Sequence, residues 1–209
     1  MAKRIQKIVD SVSFYLGKAQ SGYNSPDIIT RELNTESLNE FNDFIQDYAK
    51  TRVISEFLQK FLKDTTSQTV SQGKITKPSD YEHGVVVHLE DGTNVEIKES
   101  KPFFYLKKHP NKAPSKKYPI CRMYGTTIEF APTDPGQKVI VTYFKPPTEA
   151  VYAFTQSGES YVYNDADSVD WEWSKQIEDR IVNRVLENFG INLKENQLIE
   201  YSELEQAKQ

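Results

Sequence analysis

Apolar residues recur at helical spacing at both ends of this chain and at strand spacing between them. That change of period limits the available folds, because a 3.6-residue stripe and a two-residue alternation cannot share one element. At the N-terminal end Ile5, Ile8, Val9, Val12, Tyr15 and Leu16 form one stripe. Ser25-Pro26-Asp27 then reads as a helix start, with serine as cap and proline at the first helical position. Ile28, Ile29 and Leu33 follow, then Leu38, Phe41, Phe44, Ile45 and Tyr48. Asn34-Thr35-Glu36 is compatible with a second cap or with one continuous helix. Val53, Ile54, Phe57, Leu58, Phe61 and Leu62 suggest a third amphipathic helix, and Lys63 to Gly73 reads as a linker.

The middle of the chain alternates. Val85 to Leu89 and Asn94 to Ile97 flank Asp91-Gly92, a hairpin signal of the type I′ kind. Ile120–Tyr124 and Thr127–Phe130 predict a second hairpin around Gly125, and Lys138–Phe144 a strand that Pro146-Pro147 ends. Short strands near Val151–Phe154 and Tyr161–Tyr163 would complete a small sandwich or barrel. Helical spacing then returns at Ile177, Ile181, Val185 and Phe189, with Ser174 as N-cap and Gly190 as the left-handed C-terminal residue. Residues 195–208 suit either a final, more polar helix or a frayed tail. The predicted class is α+β: N-terminal helices and a C-terminal helix form a helical part, with an inserted small antiparallel β-sandwich or barrel-like domain. The boundaries expected are 1–66 for the N-terminal helical part, 74–164 for the β-rich insert, and 170–209 for a C-terminal helical part packing on the N-terminal helices.

Composition narrows the function classes. A chain of 209 residues can bury a real core. Its net charge of −4 gives no general attraction to nucleic acid. The single cysteine excludes an internal disulfide and a cysteine-based zinc site. The Lys3-Arg4-Ile5-Gln6-Lys7 start meets Asp10 and Ser11 rather than an apolar run, so no signal peptide is read. No stretch reaches the ~18 consecutive apolar residues of a membrane span.

Candidate chemistry is thin. His83, His88 and His109 have no nucleophile or carboxylate at a useful spacing, and Cys121 in an alternating strand reads as buried filler. Asn164 to Asp170 resembles part of a calcium loop but lacks its central glycine and terminal glutamate, so a solvated turn is expected. No cluster of glycines forms a phosphate cradle. No catalytic residue, cofactor-binding residue or metal ligand follows, and the chain is read as a non-enzyme. Two features do stand out. The 12 Tyr, 11 Phe and 2 Trp suit either a protein that makes contacts or a β-rich core that uses Tyr as strand former. Charge is also segregated: seven lysines against one glutamate lie between Lys98 and Lys117, and acids outnumber bases from Glu159 onward. Lys101, Lys107, Lys108, Lys112, Lys116 and Lys117, spaced by prolines on an extended loop, either form a solvated loop or are candidates to meet the acidic surface of a neighbouring copy. Trp171 and Trp173 read either as core residues or as further candidate inter-subunit contacts.

The order of elements resembles that of neck ring proteins in crAss-like and related tailed bacteriophages. The matching segments are Asp27-Ile28-Ile29, Leu33-Asn34, Glu40-Phe41-Asn42, Tyr48, Ile54, Leu58 and Phe61-Leu62. They continue with Pro78-Ser79-Asp80-Tyr81, Lys117-Tyr118-Pro119-Ile120, the Gly125–Pro132 hairpin and Val141 to Pro147. The acidic turn Asp165–Trp173 and Asn188-Phe189-Gly190-Ile191 complete the pattern. The resemblance implies a virion head–tail connector subunit, assembled in the host bacterial cytoplasm. It would sit in a homo-oligomeric ring, dodecameric in such families, between the portal protein and adjacent neck or tail proteins. DNA would only pass through the channel, and no membrane or cofactor is involved. A second expectation is a β-sandwich ligand- or receptor-binding module on a helical stalk, with Tyr161, Tyr163, Trp171 and Trp173 as a stacking platform.

Overall fold

A computed structural model describes residues 3–18, 24–157 and 160–191 of the chain. The expected helix over 195–208 lies outside the described residues. The fold is α+β and separates into two compact units, Met1–Val53 with Pro147–Gln209, and Ile54–Pro146.

The first unit is mostly helical. Its α1 spans Arg4–Lys18 and α2 spans Pro26–Thr51. The unit continues with the paired strands β8 (Phe154–Ser157) and β9 (Ser160–Tyr163) and ends with α4 (Lys175–Asn188). Ile5, Ile8, Val9, Val12 and Leu16 of α1 are buried as the stripe requires, while Tyr15 is exposed. Asn34-Thr35-Glu36 interrupts nothing, and α2 runs as one helix of 26 residues. Its buried stripe includes polar positions: the Thr30 hydroxyl donates to the Pro26 carbonyl one turn earlier, while α4 and the segment before it supply partners for Ser37 and Glu40. The stop falls at Arg52, in the left-handed conformation at φ 59°, whose N–H donates to the Tyr48 carbonyl.

The second unit is a curled sheet. Its strands are β1 (Leu62–Asp64), β2 (Lys74–Thr76), β3 (His83–Leu89), β4 (Asn94–Ile97), β5 (Ile120–Tyr124), β6 (Thr127–Ala131) and β7 (Val139–Phe144). They are ordered β1-β7-β3-β4-β5-β6-β2. All neighbours are antiparallel except β4 and β5. The stretch 62–76 pairs with β7 at its beginning and with β6 at its end, so one segment joins the two edges of the sheet. Ile75, Val87, Leu89, Val95, Cys121, Ile128, Phe130, Val139 and Val141, drawn from six strands, share one core. The curl is tight at Gly84, beside a register shift in β3: a Cβ there would lie 2.4 Å from the Tyr81 hydroxyl oxygen.

Four sequence expectations are corrected. Ile54–Leu62 is not a helix but a turn, a 3-10 turn at Gln59–Phe61 and the start of β1; Leu58 and Phe61 are buried as members of the sheet unit instead of along a helical stripe. The helical unit therefore ends at Val53, not near 66, and the expected linker carries β1 and the Gln68 bridge to Val139. Strands β8 and β9 do not join the sheet. They belong with the helices, where Val151 bridges Val169 and the Asn34 side chain both donates to and accepts from the Ala150 backbone at 2.9 Å. Finally, Asp91-Gly92 does not form a type I′ turn. Only Gly92 has positive φ (85°), its N–H donates to the Leu89 carbonyl, and Leu89 N–H donates to Thr93: a tight turn followed by a glycine bulge.

Candidate interaction surface

The parallel pairing of β4 with β5 forces a crossover, since parallel neighbours cannot be joined by a tight hairpin. The crossover contains α3 (Ser100–Lys108). This corrects the reading of residues 98–117 as an extended loop. Pro102 lies in the first turn of α3, where a missing N–H costs no helical hydrogen bond, and Phe103 N–H donates to the Glu99 carbonyl at 3.0 Å. Phe103 is fully buried and packs with Leu106 against Ile120 and Ala131, on the face of β5 and β6.

Helical geometry then fixes what faces outward. With Phe103 and Leu106 inside, Lys101, Phe104, Tyr105 and Lys108 share the exposed side. Two β5 side chains, Arg122 and Tyr124, two residues apart, lie on one side of the strand. The Arg122 guanidinium sits 4.2 Å from the Phe104 ring centroid and 5.0 Å from that of Tyr124. It is held there by Glu129, which accepts from Nε at 2.8 Å and from Nη2 at 2.6 Å. Lys107 donates to the other Glu129 oxygen at 2.9 Å. Burial raises the Glu129 pKa, but the hydrogen bonds and charges of Lys107 and Arg122 outweigh it and hold the carboxyl below the usual glutamate range. The result is a fixed platform whose upper surface is aromatic: Tyr124 is 63% exposed, Tyr105 64%, and Phe104 is exposed as well.

The six candidate lysines divide in two. Lys107 pairs with Glu129, and Lys116 with Asp134 at 3.3 Å. Lys101, Lys108, Lys112 and Lys117 are exposed, and among the described residues no carboxylate lies within ion-pair distance of them. The Lys112 N–H donates to His109 Nδ1, and the His109 ring meets Tyr105 edge-on at 5.3 Å, which holds the segment after α3 against the helix. Lys117 lies over the Tyr118 ring, and Tyr118 is 69% exposed. The sheet unit carries 14 Lys and Arg against 10 Asp and Glu, and the helical unit 12 against 20. Net charges of +4 and −8 therefore reside on separate units of one chain.

Trp171 and Trp173 are not contacts for a neighbour. They are 5% and 2% exposed, and the Trp173 indole N–H donates to the buried Ser37 hydroxyl at 2.7 Å. Their alternation is that of a segment crossing a core, which a sequence cannot separate from a strand displaying rings. The stacking platform expected around Tyr161, Tyr163, Trp171 and Trp173 is lost with them. The acidic turn likewise has a cation of its own. The Lys3 ammonium donates to the carbonyls of Asp165 and Ser168, both at 2.6 Å, and Asp170 accepts from the Ile5 N–H at the start of α1. Among the described residues, no group of three or more His, Cys, Asp and Glu is placed to hold a metal ion. No helix among them is long and apolar enough to cross a membrane.

Sequence reading missed the parts that depend on pairing. Glu40, buried in α2, receives Arg180 at 3.0 Å and Arg184 at 3.1 Å from α4. Arg122 and Glu129 face each other only because Arg122 and Glu129 are register partners in β5 and β6. The alternation of Arg122 with Tyr124 was the one available signal. The chain matches no protein-family model and no curated protein.

Proposed function

We propose that this protein is a structural subunit of a phage head–tail connector, forming a ring between portal and tail. The observation that carries the reading is the segregation of charge, +4 on the sheet unit and −8 on the helical unit. A subunit with unlike surfaces on two bodies suits heterologous, head-to-tail contacts, and these close into rings when the rotation allows. The exposed aromatic platform beside α3 supports the same reading, since interfaces favour aromatic residues and arginine. The order of elements, a helical unit interrupted by a sheet unit, agrees with the resemblance to neck ring proteins. Under this proposal the protein works by geometry without catalysis, its copy number follows the portal, and DNA meets it only in transit.

Two measurements test the proposal. Peptides of this chain should be found in purified phage particles, and a specific antibody should label the neck between capsid and tail. Particles that infect normally yet contain none of the chain overturn it.

A further inference from the structure

The platform beside α3 is organised around a centre that the lysines do not supply. The Arg122 and Glu129 side chains are only 12% and 14% exposed, so their ion pair is largely covered, and Phe104 and Tyr124 lie against the guanidinium. The rings are thereby held in place before any partner arrives, which lowers the ordering cost of a contact. Lys101 and Lys108 share the helix side of Phe104 and Tyr105, the Lys112 N–H donates to the His109 ring that meets Tyr105, and none of the three has an acidic partner among the described residues. An aromatic centre with a charged rim is the anatomy of a protein contact.

Two acidic macromolecules fit the rim, and the centre distinguishes them. Single-stranded nucleic acid needs open ring faces for stacking and cations that track phosphates. Here the guanidinium already lies near the Phe104 and Tyr124 rings and is committed to Glu129. A protein surface needs only exposed apolar area and opposite charge, and every copy of the chain carries a helical unit of net −8. We infer that the face formed by Phe104, Tyr105 and Tyr124, with Lys101, Lys108 and Lys112 at its rim, docks the acidic helical unit of a second copy of this chain. The inference rests on the ring reading and names the partner of that contact.

Photo-crosslinking of the full chain tests it. Tyr105→p-benzoylphenylalanine puts a photoreactive group on the platform, at a ring that touches neither Arg122 nor Glu129 in the network above. A high-concentration mixture of isotopically heavy and light protein is irradiated at low salt. Heavy–light crosslinks should run from position 105 to residues within 1–53 or 147–209. Their yield should fall about tenfold when Lys101, Lys108, Lys112 and Lys117 are all changed to glutamate, as expected for several weak exposed pairs acting together. The same probe replacing Lys74, exposed on β2, should give few such crosslinks. Absence of heavy–light products, crosslinks to the sheet unit of the other copy, or capture only of an added single-stranded oligonucleotide overturns the inference. The outcome is independent of particle labelling: a chain found in the neck without these crosslinks keeps the connector and loses the docking face.

Discussion

Trp173→Phe separates a core tryptophan from a contact tryptophan, and its cost follows from two features of the site. The indole is 2% exposed and lies 6.1 Å, centroid to centroid, from Phe44. Replacing indole by phenyl removes about three heavy atoms from a filled core, roughly 1–2 kcal/mol of lost transfer and packing. It also removes the N–H that donates to Ser37, whose hydroxyl is buried and is left with an unmet bond, about 1–3 kcal/mol. A total of about 2–5 kcal/mol is a large part of the ~5–15 kcal/mol that holds a domain folded. The assay is urea unfolding of dilute protein, followed by far-UV circular dichroism and by the fluorescence of the remaining Trp171. Ser37→Ala in the same background should recover about 1 kcal/mol, because it deletes the orphaned hydroxyl, whereas Ser37→Ala alone should destabilise. A loss below about 0.5 kcal/mol for Trp173→Phe, or strict additivity of the two changes, refutes the reasoning and returns Trp173 to the list of contacts.

Glu129 has a folded pKa below its unfolded value, so its stabilising contribution is fully present above pH ~4.5 and is lost as pH falls through the folded pKa. Glu129→Gln should flatten that part of the acid-unfolding profile, measured by circular dichroism from pH 6 downward; an unchanged acid limb counts against the network. Changing Lys101, Lys108, Lys112 and Lys117 together to glutamate should leave the melting temperature within a few degrees, since surface changes away from special features usually fall within ±0.5 kcal/mol each, while incorporation into particles is lost. If the quadruple variant assembles normally at low and high salt, the lysines are merely solvated. The Cys121 thiol is buried and pushed up to about 12 by that burial. It should therefore resist a thiol reagent at pH 8 until denaturant opens the sheet unit, and prompt stoichiometric reaction of the native protein would show the core to be open.

Periodicity carried information wherever a residue's neighbours lie near it in the chain. The stripes of α1 and α4, the start at Ser25-Pro26, the Gly125 hairpin, the strand that ends before Pro146, and buried Cys121 were all legible, because each depends on spacing or on backbone chemistry within a few residues. The α+β class followed from the same local signals. Leu58 and Phe61, by contrast, satisfied a helical stripe and then packed as part of a sheet unit, because apolar spacing records burial but not the element that provides it. Ser100–Lys108 read as an extended, lysine-rich loop until the parallel register of β4 and β5 required a crossover. The buried Glu40 under Arg180 and Arg184, Trp173 on Ser37, and Arg122 fixed by Glu129 between two rings join residues from different elements. Composition and local patterning thus determined the α+β class, most of the elements and the segregation of charge. Which polar groups meet, which tryptophans are hidden and which aromatics remain outside were decided by tertiary pairing alone, since the free energy of a buried charge or an exposed ring depends on neighbours that no local window contains.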